Sequence, residues 1–136
     1  MHSNKRQLKQ GDGWRLGWNP DASEFKGLVG GDDWSLELTE AELEDLCRFV
    51  MDLADTMAYM ATELMDEEKI SCELESDRLW IEAEGYAHAY TLHFILHTGR
   101  RGEGNWGDRA AAELTRAVQA LSSETELFSW GCASKK

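Results

Sequence analysis

Apolar and polar side chains alternate over Trp34-Ser35-Leu36-Glu37-Leu38, and the apolar positions then recur at helical spacing at Leu43, Leu46, Val50, Leu53, Met57, Met60 and Leu64. A period of two predicts a strand with one face on a core. The second pattern, flanked by Cys47, Phe49, Ala54 and Ala61, covers roughly 160° of a helical wheel. That is too wide for a coiled-coil seam and suits a helix lying on a sheet. Thr39 with Glu42 three residues on reads as a capping box, so the helix should begin at Glu40. Its other face, with Glu44, Asp45, Arg48, Asp52, Asp55 and Glu63, reads as a solvated acidic surface.

The same patterns organise the rest of the chain. Residues 1–10 are polar and basic and read as a flexible arm; residues 11–121 form a single α+β domain. Trp14, Leu16 and Trp18 share one face of a first strand that Asn19-Pro20-Asp21 ends, and Phe25 to Val29 is a second. After the helix, Met65-Asp66-Glu67-Glu68 reads as a solvated loop in preference to a cation site, although three acids beyond a helix C-terminus oppose its dipole. Strands are expected at Ile70 to Glu75, Leu79 to Glu84 and Ala87 to His97, with Gly99 to Gly104 a loop or short edge strand. Asp108 caps a last helix with the stripe Leu114, Ala117, Val118, Leu121, and the Ser- and Glu-rich residues 122–136 read as a mobile tail. The order is β-β-β-α-β-β-β-(β)-α. Gly31-Asp32-Asp33-Trp34 before one helix is partly echoed by Glu103-Gly104-Asn105-Trp106 before the other, which suggests two halves about a pseudo-twofold.

Charge changes the picture more than length does. The 136 residues carry a net −12, but residues 32–84 alone hold 18 Asp and Glu against 3 Lys and Arg, a net of −15. Such a potential repels phosphate backbones and anionic lipid and attracts basic partners. Three cysteines, Cys47, Cys72 and Cys132, form no C-x-x-C pair, and no run approaches 18 apolar residues; a reduced, cytoplasmic chain with no membrane partner is the expectation.

Chemistry finds little footing. His93 and His97 share a strand face but lie about 13 Å apart, His88 points away, and one zinc with ligands about 2 Å away cannot join them. The hydrolase, zincin and phosphate-loop patterns are all missing. No enzyme, metal or cofactor is expected. A more informative constellation is a sheet face: alternation puts Glu37, then Glu73 and Glu75, then Trp80, Glu82 and Glu84 opposite the apolar residues of their strands. Were these strands in one sheet, its outer face would be acidic around a Trp, either as a solvated surface or as a recognition face.

Four segments carry a resemblance: Gly11-Asp12-Gly13-Trp14-Arg15-Leu16-Gly17-Trp18, Phe25 through Trp34, Met65 through Ser71, and Gly99-Arg100-Arg101 through Gly104-Asn105-Trp106. Over residues 11–121 the chain resembles domain-of-unknown-function family 1818, small proteins of cyanobacteria and plastid-bearing relatives. The resemblance implies the fold of the single-stranded-DNA-binding transcriptional regulators, the group of the plant Whirly proteins, and related folds that assemble through their helices make a homodimer plausible. The activity does not follow from the fold. Whirly proteins bind DNA with a K-G-K-A-A-L strand, whereas here Lys26-Gly27 is followed by Leu28-Val29. The leading expectation is therefore a protein-interaction module with the partner face Glu37, Glu73, Glu75, Trp80, Glu82 and Glu84 and with Trp-rich loops. The alternative is a single-stranded DNA or RNA binder using a basic edge of Arg15, Lys26, Arg100 and Arg101 beside Trp14 or Trp106.

Overall fold

A computed structural model describes residues 6–63 and 68–124. Two halves of the same plan follow one another. The first runs β1 (Gln7–Gly11), β2 (Trp14–Trp18), β3 (Gly27–Gly30), β4 (Ser35–Leu38) and α1 (Glu40–Glu63). The second runs β5 (Ile70–Glu75), β6 (Leu79–Tyr86), β7 (Ala89–Leu96), β8 (Glu103–Trp106) and α2 (Asp108–Glu124). Each set of four strands makes an antiparallel meander, and the two sheets are separate. This is the expected α+β layout of two strand-rich halves, each closed by a helix, with one strand more in each half than the hydrophobic pattern requires.

The additional strands are edge strands. β1 takes residues 7–10 of the expected flexible arm into the first sheet, with Gln7 opposite Trp18 and Gly11 opposite Trp14. Of the expected loop or edge strand at Gly99 to Gly104, residues 99–102 are loop, and the edge strand β8 beside β7 begins only at Glu103. Edge strands have water on one side, so their sequences need little apolar alternation. Leu64 and residues 65–67 lie outside the described residues, as does the expected tail from Thr125 on, while residues 122–124 belong to α2.

One core joins the halves. Helix α1 packs on β3, β4, β5 and β6, α2 packs on β1, β2, β7 and β8, and the helices touch each other. The inner rows are the apolar ones: Leu16 and Val29 in the first sheet, Ile81, Phe94 and Leu92 in the second, with Leu43, Leu46, Val50 and Leu53 of α1 between them, all essentially inaccessible. The capping box forms: Thr39 N–H donates to Glu42 Oε1 at 2.9 Å and Glu42 N–H to Thr39 Oγ1 at 3.2 Å. Asp45 corrects the expectation of a wholly solvated acidic face. It is 3% exposed, accepting from Arg48 at 3.0 Å and from Ser76 Oγ at 2.7 Å, with Arg78 at 3.3 Å, so it fastens α1 to the β5–β6 turn.

The two echoed tryptophans meet where the sheets adjoin. Trp34 lies 5.3 Å from Trp106 and 6.0 Å from Phe94 between ring centroids, and Trp106 Nε1 donates to Gly30 O at 2.9 Å. The Trp34 ring sits directly on Gly104, where a Cβ would collide with it. Gly104→Ala should therefore destabilise the protein by about 1–3 kcal/mol through overpacking. In urea unfolding that cost should shrink markedly when Trp34 is also Leu; equal costs in both backgrounds would show that the collision is not the cause.

Candidate binding face

Strand pairing brings most of the expected acidic face together. On the outer side of the second sheet, register aligns Glu75 with Trp80, Ile95 and Glu103 in one row and Glu73 with Glu82, His93 and Asn105 in the next, with Ser71, Glu84 and Thr91 beyond. No described helix packs on this side. Glu73 and Glu82 stand directly opposite each other, an arrangement that costs stability unless the charges turn aside. They do turn aside: Trp80 Nε1 donates to Glu73 Oε1 at 2.5 Å, and Ser71 Oγ donates to Glu82 Oε2 at 2.5 Å. His97 and His93 hold Glu75 and Glu103 at 2.7 and 2.8 Å, each through Nε2, and Lys69 stands 3.8 Å from Glu84. The His93 and Trp80 rings lie 5.4 Å apart between centroids and are nearly perpendicular. The result is a half-buried Trp80 beside Ile95, ringed by five carboxylates.

Glu37 does not belong to this face. It lies on β4, opposite Leu28 on the outer side of the first sheet, because α1 separates β4 from β5 and the two strands never pair. Alternation fixes which side of a strand a residue takes; sheet membership depends on pairing partners distant in sequence.

The basic edge is drawn inward. Trp14 and Trp106 are 8% and 2% exposed, and Trp14 Nε1 donates to Glu113 Oε1 of α2 at 2.8 Å, so neither ring is free to stack on a base. Arg15 lies over Gly30 and donates to the carbonyls of Gly31 and Trp34 at 3.3 Å, and Lys26 donates to Ala22 O at 2.5 Å. Arg100 is held most firmly, donating to Glu42 Oε1 at 2.7 Å and to Glu37 O at 2.9 Å, with its guanidinium 4.6 Å from the Phe25 ring centre. Arg101, at φ 57°, is exposed. The Arg100–Glu42 pair was not foreseen from sequence, because the two residues are 58 positions apart. The only early sign of it was Glu42 itself, a capping acid on a helix end that had to sit against something.

Remaining candidates for chemistry are few. Burial pushes the Cys47 thiol up to about 12, far from a reactive thiolate. Cys72 is partly buried on β5, and Cys132 lies outside the described residues. Among the described residues, no three of His, Cys, Asp and Glu come together as metal ligands, and no helix is long and apolar enough to cross a membrane.

Two four-stranded meanders, each closed by a helix and sharing one core, define the class to which this protein belongs. The model of a family described as a domain of unknown function, DUF1818, matches residues 9–121, and the chain belongs to that family. Its structure is similar to a crystal structure of a protein of unknown function from Prochlorococcus sp. NATL2A, described as of a DUF155 family, with a TM-score of 0.80 and 28% identity over 85% of this chain and 98% of that one. No match was found among curated proteins.

Glu42 gives the fold a pH dependence. Burial alone would raise its carboxyl, but the hydrogen bonds from the Arg100 guanidinium and the Thr39 N–H outweigh it and hold the group below the usual carboxylate range. A depressed carboxyl stabilises the fold above its unfolded value and loses that contribution as pH falls through the folded one. Glu42→Gln keeps the capping acceptor and removes the charge. The urea midpoint of the wild type should therefore fall more than that of Glu42→Gln between pH 7 and pH 3.5. Parallel curves would mean that the charge contributes nothing.

Proposed function

We propose that this chain is a non-enzymatic cytoplasmic binding module that recognises a protein partner through the outer face of its second sheet. One observation carries the reading: a half-buried Trp80, oriented by Glu73 and His93 beside Ile95, stands at the centre of a carboxylate rim on a sheet side that no described helix covers. An aromatic anchor within a polar rim is the anatomy of a protein interface, and Trp is enriched among the residues that dominate binding energy. The rim charge selects a partner with a basic border and an apolar centre, steering its approach more than setting its affinity. We further read the two ββββα halves as the fold of the single-stranded-DNA-binding transcriptional regulators, with the binding face changed in sign.

The alternative is a single-stranded nucleic-acid binder that uses the first sheet. It rests on a hollow beside Phe25 and Leu28 that Arg6 and Lys26 border. Single-strand binders combine a positive groove with stacking aromatics. Against it stand the buried Trp14 and Trp106 and the internal bonding of Arg15, Lys26 and Arg100.

Reversing Glu73, Glu75, Glu82 and Glu84 to Lys should abolish recovery of the partner that the wild type retains in a pull-down, with an unchanged far-UV spectrum. Undiminished recovery would overturn the protein-interaction reading. For the alternative, anisotropy of a labelled single strand at two salt concentrations should lose affinity and salt slope in Arg6→Ala with Arg101→Ala. Arg101 is the informative position, because changing Arg100 also removes a folding contact.

A further inference from the structure

The outer face of the first sheet is the counterpart of the acidic one. Strand register sets Leu8, Gly17, Leu28 and Glu37 in one outer row and Gln10, Arg15, Gly30 and Ser35 in the next. No described helix packs on this side. Gly17 and Gly30, at the centre, carry no side chain, so the middle of the face is low. There Leu8, 55% exposed, and Leu28 lean over Gly17 at the border of a hollow of about 460 Å³ that Phe25 also lines. Arg6 and Lys26 stand at the margin of the hollow, with Glu37 as its one carboxylate.

This apolar depression with a mainly basic border lies on the same chain as an aromatic centre with an acidic border, Trp80 beside Ile95 within the carboxylate rim. The two faces match in sign. They match in relief as well, since a Trp on one sheet would stand against glycine on the other, and facing sheets pack by such interdigitation. The hollow also falls within the roughly 300–1,000 Å³ of clefts that enclose an organic group. A net charge of −12 makes two copies repel in general, so a contact between copies requires unlike patches to meet, and these are unlike. We infer that the partner of the second sheet's outer face is a second copy of this chain, whose first sheet receives Trp80 and Ile95 in the hollow while Arg6 and Lys26 meet the carboxylate rim. This rests on the reading of the second sheet as a protein-binding face and names its partner. Because the two patches differ, the contact is heterologous, and further copies add head to tail as a ring or a chain. Four strands of four or five residues make a patch about 17 Å long and 19 Å wide. That is well below the about 800 Å² per partner of a stable complex, so the association is reversible and depends on concentration. It also occupies the hollow that the nucleic-acid alternative would need.

Sedimentation velocity of the full chain over a range of protein concentrations tests it. The weight-average sedimentation coefficient of the wild type should rise with concentration. Trp80→Ala on the acidic face should hold the protein monomeric, and so should Arg6→Glu with Lys26→Glu at the hollow. An equimolar mixture of these two variants should associate again and stop at a one-to-one pair, because each keeps the face that the other has lost. That restoration, with unchanged far-UV spectra, shows that both variants are folded. Ile95→Ala, a smaller truncation at the same centre, should weaken association about tenfold. A wild type that stays monomeric throughout would overturn the inference and leave the reading beneath it to the charge-reversal pull-down, which reports on any protein partner. Association that any of these variants leaves undiminished would overturn it too, as would a mixture that restores nothing.

Discussion

The structure depends on two sheets sharing one core through a single pair of helices. Neither meander has an inner face that its own helix alone covers, because α1 and α2 each lie across strands of both halves. The halves therefore cannot fold as separate units in the way their sequential order suggests. The constraint is sharpest where the sheets adjoin, at Trp34, Phe94, Trp106 and Gly104. There the fit of a ring on a bare glycine backbone replaces the hydrogen bonds that would join the strands were the sheets continuous. A contact of that kind tolerates little change in volume, since packed interiors accommodate neither voids nor extra methylenes cheaply.

Polar fasteners then fix how the helices sit within that core. Asp45 and Glu42 are buried on one turn of α1, and each is met by an arginine from the second half, Arg78 and Arg100. A buried carboxylate without its partner is costly, so each pair acts as a condition on correct docking more than as a source of net stability. Both arginines come from connections between strands, which explains how exposed basic loops in an acidic protein can be structural. Positive charge that the sequence distributes as a basic edge is thus consumed in holding the halves together.

Local rules were legible in the sequence and non-local ones were not. The capping box at Thr39, the start of α1 at Glu40 and the inward faces of β2, β5 and β6 follow from spacing within a few residues. The inward row Trp14, Leu16, Trp18 also implied that Trp14 is a core residue, although the same Trp looked available to a ligand when grouped with the nearby arginines. β1 escaped notice because Gln-Leu-Lys-Gln-Gly carries one apolar residue, and an edge strand wet on one side needs no more. Glu37 was grouped with Glu73 and Glu82 because period two assigns a side and not a sheet. Register between strands in different halves is set by the core, and no short window of sequence encodes it.

The candidate face follows from this division. Once both helices are committed to the inner side, each sheet keeps one face free of helix, and the two faces receive opposite treatment. On the first sheet the central outer positions are Gly17, Leu28 and Gly30, small or apolar, with the arginine among them turned onto backbone carbonyls. On the second sheet the equivalent positions carry Glu73 and Glu82 around Trp80, and each of these two carboxylates is turned to an uncharged donor. The directly opposed Glu73 and Glu82 are tolerated because each carboxylate is turned aside to its own donor, Trp80 and Ser71. The open side of this sheet is thus polar and charged, while its helix side is packed to the exclusion of water. Under the reading proposed above, that open side is the surface that a partner with a basic border would meet.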